Sequence, residues 1–533
     1  MDEHVIYAVR EGVAILAVDN PPVNMLSQAV RRDLLRAIGR AQSDDTVRAV
    51  VLCGEGKTFP AGADIREFEQ PAAKPHLPDV CNAIEGCSKP VVACLHGSAL
   101  GGGYELALAA HARLAVAGTN VGFPEISLGV LPGAGGTQRL PRLVGAEQAL
   151  SMMLSGKPLR LMQGQTQGLV DGLVDGDLIS AGVAHALSMA DEPTRRLRED
   201  RRWFRDGVAY QEAVALAQEK HSEHPVPAAA AIIDCVEAAP LLPFEQGLAL
   251  ERDLFLELRD TPTAKALRYA FIAIRTAAKP PKGLPAAPAV QMIAIVGGGR
   301  MGSGIAVSCL DAGLNVTLIE RDAALAARAE GAVESIYQRA VSRGSLAAET
   351  QAKRLEKLAI SDDIASANSA DVVIECIADD VEEKEALLKE LGAILPEDTI
   401  IATNTSYLDV ERLGQASGRP DRFLALHFFT PAHVQQLVEI GVTERTSAAT
   451  EATAYALARQ LRKRPVRAGA APGLIGNRVL TAFRHAADAL VLKGASPYAV
   501  DAAMRSFGFA LGPYQVLDLT GIELSLDFRA AFA

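Results

Sequence analysis

Gly101, Gly102 and Gly103 stand directly before the helix-forming run Tyr104–Ala110. Their backbone N–H groups would therefore project from the positive end of a helix, where they could hold negative charge developing on an oxygen. Glu105 falls inside the same apolar segment, Leu100–Ala110, where an unpaired carboxylate is costly unless it serves a purpose. Glu125 follows twenty residues later in Phe123-Pro124-Glu125. Two carboxylates beside amide donors suit acid–base chemistry in which one group takes a proton and the other gives one. A lone glycine run is usually a tight turn and a lone glutamate a solvated charge, so the combination carries the reading.

A second cluster lies in the other half of the chain. Ile295–Gly302 reads IVGGGRMG, a G-x-G-x-x-G between an apolar run and a helix-forming one, the context of a dinucleotide fingerprint. Gly297 would make the turn, Gly299 would admit a pyrophosphate, and Gly302 would let helix and strand touch. Glu320, eighteen residues after Gly302 at the end of the next apolar run, would bond the adenine ribose and repel a 2′-phosphate, which favours NAD. Arg321 beside it reads as a solvated loop charge.

The elements that must position these groups are legible as apolar runs. Val5–Val9, Val13–Val18, Ala49–Gly54 and Pro90–Leu95 read as strands alternating with helical stretches. Near residue 190 the strands stop and a charged, alanine-rich, helix-like region runs to Lys279. The proline-rich segment Lys279–Val290 then breaks it. Strand runs resume at Met292, and from Pro472 the chain is helix-like. The fold class is α/β, and the 533 residues imply roughly three to five domains.

With 49% hydrophobic and 22% charged residues, the composition is that of a globular protein. A net charge of −11 with no basic stripe excludes an electrostatic nucleic-acid or membrane footprint. The seven cysteines are scattered without a C-x-x-C pair, which argues against disulfides or zinc and for a reducing compartment. The N-terminus is acidic where a secretory signal is basic, no apolar run reaches about 18 residues, and Ala531-Phe532-Ala533 is not a peroxisomal tripeptide. A cytoplasmic location is the expectation.

Residues 96–145, HGSALGGGYELALAAHARLA and VGFPEISLGVLPGAGGTQRLPRLVG, resemble the crotonase (enoyl-CoA hydratase) family, as do DNPPVN (Asp19–Asn24) and FPAGADI (Phe59–Ile65). The resemblance implies an oxyanion hole made by the N–H groups of Ala63 and Gly102. It also implies that Glu105 mainly activates water and Glu125 mainly supplies the α-proton. His96 and His111 read as structural, and Pro132–Arg139 as a turn feeding a helix.

GGGRMGSGIA, DVVIECI, NTSYL (Asn404–Leu408), LHFFTP (Leu426–Pro431), LVEI and PGLIGNR (Pro472–Arg478) resemble the 3-hydroxyacyl-CoA dehydrogenase family. That resemblance implies His427 as the base, Glu439 as the group that orients it, and Ser406 and Asn477 as residues holding substrate and histidine. Where the family reads V-E-N-x-x-x-K this chain has Asp379, Asp380 and Lys384, implying cofactor contacts by Asp379 and Lys384 with a shortened acid. Thr430 replaces the usual asparagine of HFFNP.

Together the resemblances imply a crotonase-type spiral domain at 1–190, a helical linker at 191–285, a doubly wound Rossmann domain at 286–470 and a short all-α domain at 471–533. About 60 residues follow Pro472, marginal for a core, so the sequence implies a shortened C-terminal domain. The implied function is hydration of a trans-2-enoyl-CoA and NAD-dependent oxidation of the 3-hydroxyacyl-CoA product, with a thiolase or a second copy of the chain as possible partners. Two rivals stand beside it: a hydratase alone, with enoyl-CoA isomerase activity, and a non-catalytic CoA- or NAD-binding subunit.

Overall fold

Apolar runs without alternation, such as AVVLCG and VVACL, suit parallel strands covered on both faces. In the computed structural model, which describes residues 4–70, 73–164 and 166–520, they become the middle of a six-stranded sheet. Its strands are β1 (Val5–Arg10), β2 (Val13–Val18), β3 (Ala49–Gly54), β4 (Val91–Leu95), β6 (Ala112–Val116) and β9 (Gly172–Val174). They pair in that order, antiparallel between β1 and β2 and parallel thereafter. A smaller sheet joins β5 (Ser98–Leu100), β7 (Asn120–Gly122) and β8 (Leu159–Arg160).

Side chains alternate across the larger sheet. Leu16, Val50, Leu52, Val91 and Leu95 enter one core, while Ala17, Val51, Cys53, Val92 and Cys94 enter the core on the other face. Short strands feeding turns and helices, repeated along the chain, make the crotonase-type spiral.

The region after residue 190 is helical, with helices Gly207–Lys220, Ala228–Leu241, Phe244–Arg259 and Pro262–Ala277. Its buried face completes the first unit, because Tyr210, Val214, Ile232, Val236 and Leu258 share a core with Leu16, Leu52 and Leu106. The chain divides into two compact units, Met1–Ile272 and Ala273–Ala533.

The second unit is built on an eight-stranded sheet. Its strands are β10 (Met292–Val296), β11 (Asn315–Ile319), β12 (Leu358–Ser361), β13 (Val372–Glu375), β14 (Ile400–Thr403), β15 (Phe423–Phe428), β16 (Leu437–Val442) and β17 (Arg464–Gly469). Their order is β12-β11-β10-β13-β14-β15-β16-β17, parallel except where β15 meets β16. Ile293, Ile295 and Leu318 pack one face and Ala294, Val296 and Ile319 the other, the two-sided burial of a doubly wound Rossmann sheet. Helices Gly476–Leu492, Pro497–Phe507 and Pro513–Thr520 follow. The expectation of a shortened C-terminal end concerns residues 521–533, which lie outside the described residues. No helix among the described residues is long and apolar enough to cross a membrane.

Candidate active sites

The helix Gly102–Ala109 begins where Gly101 turns the chain at φ 52°, ψ −127°. A side chain at Gly101 would be strained, and its Cβ would lie 2.4 Å from Glu125 Oε1. The loop bearing Ala63 is tied to the chain before the first long helix by a bridge between Leu26 and Ala63. It comes close enough that a Cβ on Gly102 would sit 3.6 Å from the Ala63 amide nitrogen. The two expected oxyanion donors are thus neighbours, one at a helix N-terminus and one on a separate loop.

Glu105 is buried, 3% exposed, and its Oε1 accepts hydrogen bonds from the amides of Ala134 (2.7 Å) and Gly136 (2.9 Å). Burial pushes its carboxyl above the usual range, against the pull of those two amides and of Arg139. Glu125 opens a short helical turn, Glu125–Leu128, closed by Gly129 in the left-handed region. Its Oε2 is shielded from solvent and has no hydrogen-bond partner among the described residues. Burial and the neighbouring Glu105 raise its carboxyl well above normal. One carboxylate is held ready as an acceptor beside another that favours its protonated form, the separation of roles that acid–base chemistry at neutral pH needs.

Sequence reasoning missed the groups behind Glu105. Arg139, fully buried, donates to Glu85 Oε2 (2.7 Å), Asn82 Oδ1 (3.2 Å) and the Ala134 carbonyl (3.0 Å), fixing the loop that cradles Glu105. Glu251, from the helix Phe244–Arg259, accepts from the Gly135 amide and from the Thr137 amide and hydroxyl. The segment Pro132–Arg139 is therefore more than a turn. His111 is structural: Nδ1 accepts from the Val91 amide (2.9 Å) and Nε2 meets the Glu85 carbonyl (3.2 Å).

In the second unit the glycine fingerprint runs from the end of β10 into the first turn of the helix Arg300–Asp311. Gly297 has φ 100°, and a Cβ there would lie 2.8 Å from the Cys376 backbone. A Cβ on Gly302 would lie 1.8 Å from the Gly297 carbonyl, whereas one on Gly299 would meet nothing within 4 Å. These are the expected turn, helix–strand contact and open approach for a pyrophosphate. Glu320, half-buried just after β11, accepts from the Gly298 amide at 2.6 Å and so lies beside the loop. The residues present fit a dinucleotide.

The histidine arrangement follows from strand register. His427 on β15 pairs directly with Glu439 on antiparallel β16, so their side chains share one face. His427 Nδ1 and Glu439 Oε2 are 2.8 Å apart, and Glu439 Oε1 accepts from the Ile475 and Gly476 amides at 3.0 and 2.8 Å. Burial raises the Glu439 carboxyl, but the His427 bond and the amides outweigh it and hold it below its ordinary value. Asn477 Nδ2 approaches His427 Nε2 at 3.4 Å, and the Phe429 ring centroid lies 4.6 Å from the imidazole.

The remaining expected residues are placed differently from one another. The Ser406 amide donates to Asp379 Oδ2 at 3.0 Å, which ties Ser406 to the segment that follows β13. Lys384 is fully buried and ion-paired to Glu375, with Asp379 Oδ1 at 3.4 Å. Its amine anchors the end of β13, and Glu375 is held in turn by the Thr403 hydroxyl at 2.6 Å. Asn404, unassigned from sequence, accepts the Phe428 amide at 2.9 Å and so steadies the strand beside His427. The Thr430 hydroxyl reaches Met301 Sδ at 3.0 Å.

A two-carboxylate site on a crotonase-type unit and a His–Glu pair beside a dinucleotide loop define an acyl-CoA-processing enzyme with two chemistries. Residues 8–238 match the enoyl-CoA hydratase/isomerase family, residues 292–471 the NAD-binding domain of 3-hydroxyacyl-CoA dehydrogenase, and residues 473–533 its C-terminal domain. The peroxisomal bifunctional enzyme of Danio rerio is 37% identical over 529 residues, covering 98% of this chain and 73% of that one. The Homo sapiens peroxisomal bifunctional enzyme is 34% identical over 530 residues, with coverage of 98% and 73%. The Arabidopsis thaliana peroxisomal fatty acid beta-oxidation multifunctional protein AIM1 is 34% identical over 543 residues, with coverage of 98% and 75%. The chain belongs to the bifunctional enoyl-CoA hydratase/3-hydroxyacyl-CoA dehydrogenase family. It is an enzyme of fatty-acid β-oxidation that acts on acyl-CoA thioesters with NAD as cofactor.

Proposed function

We propose that hydration is carried by Glu105 and Glu125 and oxidation by His427 with Glu439. In the first site the amides of Ala63 and Gly102 hold the thioester oxygen as negative charge develops on it. Glu105, fixed by the Ala134 and Gly136 amides, takes a proton from water attacking the β-carbon. Glu125, whose environment favours its protonated form, delivers the α-proton. The buried Oε2 of Glu125 carries this reading, because with no bond from a described protein group it is left available to a substrate or water in the site.

In the second site, Gly297, Gly299 and Gly302 would hold the pyrophosphate and Glu320 the adenine ribose; NAD, when bound, accepts hydride from the 3-carbon. His427 takes the hydroxyl proton through Nε2, since Nδ1 is committed to Glu439, and the carboxylate stabilises the resulting imidazolium. Asn477 lies beside Nε2, where it can hold the histidine and the substrate oxygen together. Ser406 serves substrate from the cofactor side, and Asp379 links it to the buried Lys384.

Working limits for these functions are 1–190 for the crotonase-like part, 191–285 for the helical linker, 286–470 for the Rossmann part and 471–533 for the C-terminal helices. A thiolytic enzyme suits the 3-oxoacyl-CoA product as a partner, and a second copy of the chain is the other; co-purification and sedimentation test both. The scattered cysteines support a reducing, cytoplasmic setting although the relatives are named peroxisomal, and imaging of the tagged chain decides between these.

Glu125→Gln tests the hydration reading. It lowers crotonyl-CoA hydration by more than about 100-fold and leaves NADH formation from 3-hydroxybutyryl-CoA within about two-fold. Hydration within a few-fold of the parent would show that the two-carboxylate mechanism is wrong.

A further inference from the structure

The loop that receives Glu105 has an alternating pattern of donors. The amide of Ala134 bonds Glu105, that of Gly135 bonds Glu251, that of Gly136 bonds Glu105 and that of Thr137 bonds Glu251. Successive amides at the start of the helix Gly136–Val144 are thus divided between a carboxylate of the active site and one from the helix Phe244–Arg259, more than a hundred residues further along the chain. Glu251 is 1% exposed, and the Thr137 hydroxyl donates to it at 2.6 Å.

The later helix is seated closely on either side of this contact. A Cβ on Gly247 would lie 2.2 Å from Gln138 Oε1, and one on Gly133 would lie 2.7 Å from the Phe255 ring. Neither end leaves room for a methyl group, so the helix and the loop are held in one register.

We propose that Glu251 is a positioning residue for hydration: by holding the Gly135 and Thr137 amides it sets the Ala134 and Gly136 amides on Glu105. This rests on the roles given above to Glu105 and Glu125. It makes the helical region after residue 190 a working part of the hydration site rather than a spacer.

The electrostatic surroundings agree with this geometry. The groups that face Glu251 are Glu105, Glu125, Arg139, Cys81, Cys235 and the adjacent Arg252. Burial and then the charge of Glu105 push the Glu251 carboxyl up to about 8, while Thr137 and the amides pull it down. Glu251 in turn adds to Glu105 in raising Glu125. In the alkaline range, where Glu251 is ionised, removing its negative charge lowers the Glu125 carboxyl, so the basic limb of the hydration profile moves towards lower pH.

The full-length chain with crotonyl-CoA provides the test. Glu251→Gln is expected to lower kcat by about 10- to 100-fold, to leave KM within about three-fold, and to move the basic limb acidward by about one pH unit. Thr137→Val loses one bond to Glu251, which raises the Glu251 carboxyl further; it moves the limb the same way by less, and decides the matter if Glu251→Gln does not fold. Glu257→Gln, an exposed change on the same helix, leaves the activity unchanged. A folded Glu251→Gln, or Thr137→Val in its place, whose basic limb superimposes on the parent's would overturn the proposal and leave Glu251 a purely structural residue. Hydration by Glu125→Gln at the parent's rate would instead refute the reading of the site itself, and the proposal with it.

Discussion

Replacing Glu439 by glutamine probes the dehydrogenase site where its geometry is most constrained. The carboxylate serves His427 through one oxygen at 2.8 Å and the Ile475 and Gly476 amides through the other at 3.0 and 2.8 Å, and its side chain is only 2% exposed. An amide side chain has one acceptor oxygen. If that oxygen stays with the backbone amides, its NH2 faces His427 Nδ1 and drives the ring to the tautomer protonated on Nε2, which cannot accept the substrate's proton. If it turns to His427 instead, two buried amides face an NH2. Either way a charge-assisted hydrogen bond worth about 1.5–3 kcal/mol is lost. At 1.4 kcal/mol per decade that is about 10- to 150-fold, and the wrong tautomer places the effect at the upper end. We therefore expect Glu439→Gln to lower kcat for NADH formation from 3-hydroxybutyryl-CoA by about 100-fold. Crotonyl-CoA hydration, measured on the same sample, should be unchanged. NADH formation within about three-fold of the parent would refute the assignment of Glu439.

Gly302→Ala places a methyl 1.8 Å from the Gly297 carbonyl, so it should raise KM for NAD at least about ten-fold while hydration is untouched; saturation by NAD as in the parent would count against the fingerprint reading. Stability should fall in acid partly through Glu439, whose folded pKa is depressed below its usual 4.5. Its contribution is complete above that value and is lost as pH falls through the folded pKa, so Glu439→Gln should flatten the melting temperature against pH below about 4.5. An acid profile parallel to the parent's would show that the carboxylate contributes nothing there.

Local features were legible where sequence and backbone speak together. Gly297 and Gly299 lie between a strand and a helix and Gly302 in that helix's first turn, and Gly101 takes the conformation that a glycine permits. Glu105 stands out in its apolar helix as the one ionisable carboxylate, and its side chain is met there by the Ala134 and Gly136 amides. What sequence could not supply was the partners brought from far along the chain. Arg139 meets Glu85 across 54 positions and Glu251 meets Gly135 across 116, and no periodicity marks either pairing. Lys384 shows the opposite difficulty. The resemblance implies a cofactor contact for it, while its amine is fully buried against Glu375, a carboxylate at the end of an apolar strand that a run of Val and Ile conceals. The helices after residue 190 read as a connector because their charged faces dominate the composition, while their Tyr210, Ile232 and Leu258 side fills the first core.

One chain both hydrates an enoyl-CoA and oxidises the product. Purified protein given crotonyl-CoA and NAD, with no other enzyme present, tests it directly at the NADH absorbance. NADH should accumulate as the enoyl absorbance falls. Glu125→Gln should abolish NADH from crotonyl-CoA while sparing NADH from 3-hydroxybutyryl-CoA. Loss of the enoyl absorbance without NADH would contradict a two-site enzyme and confine the activity to the first site.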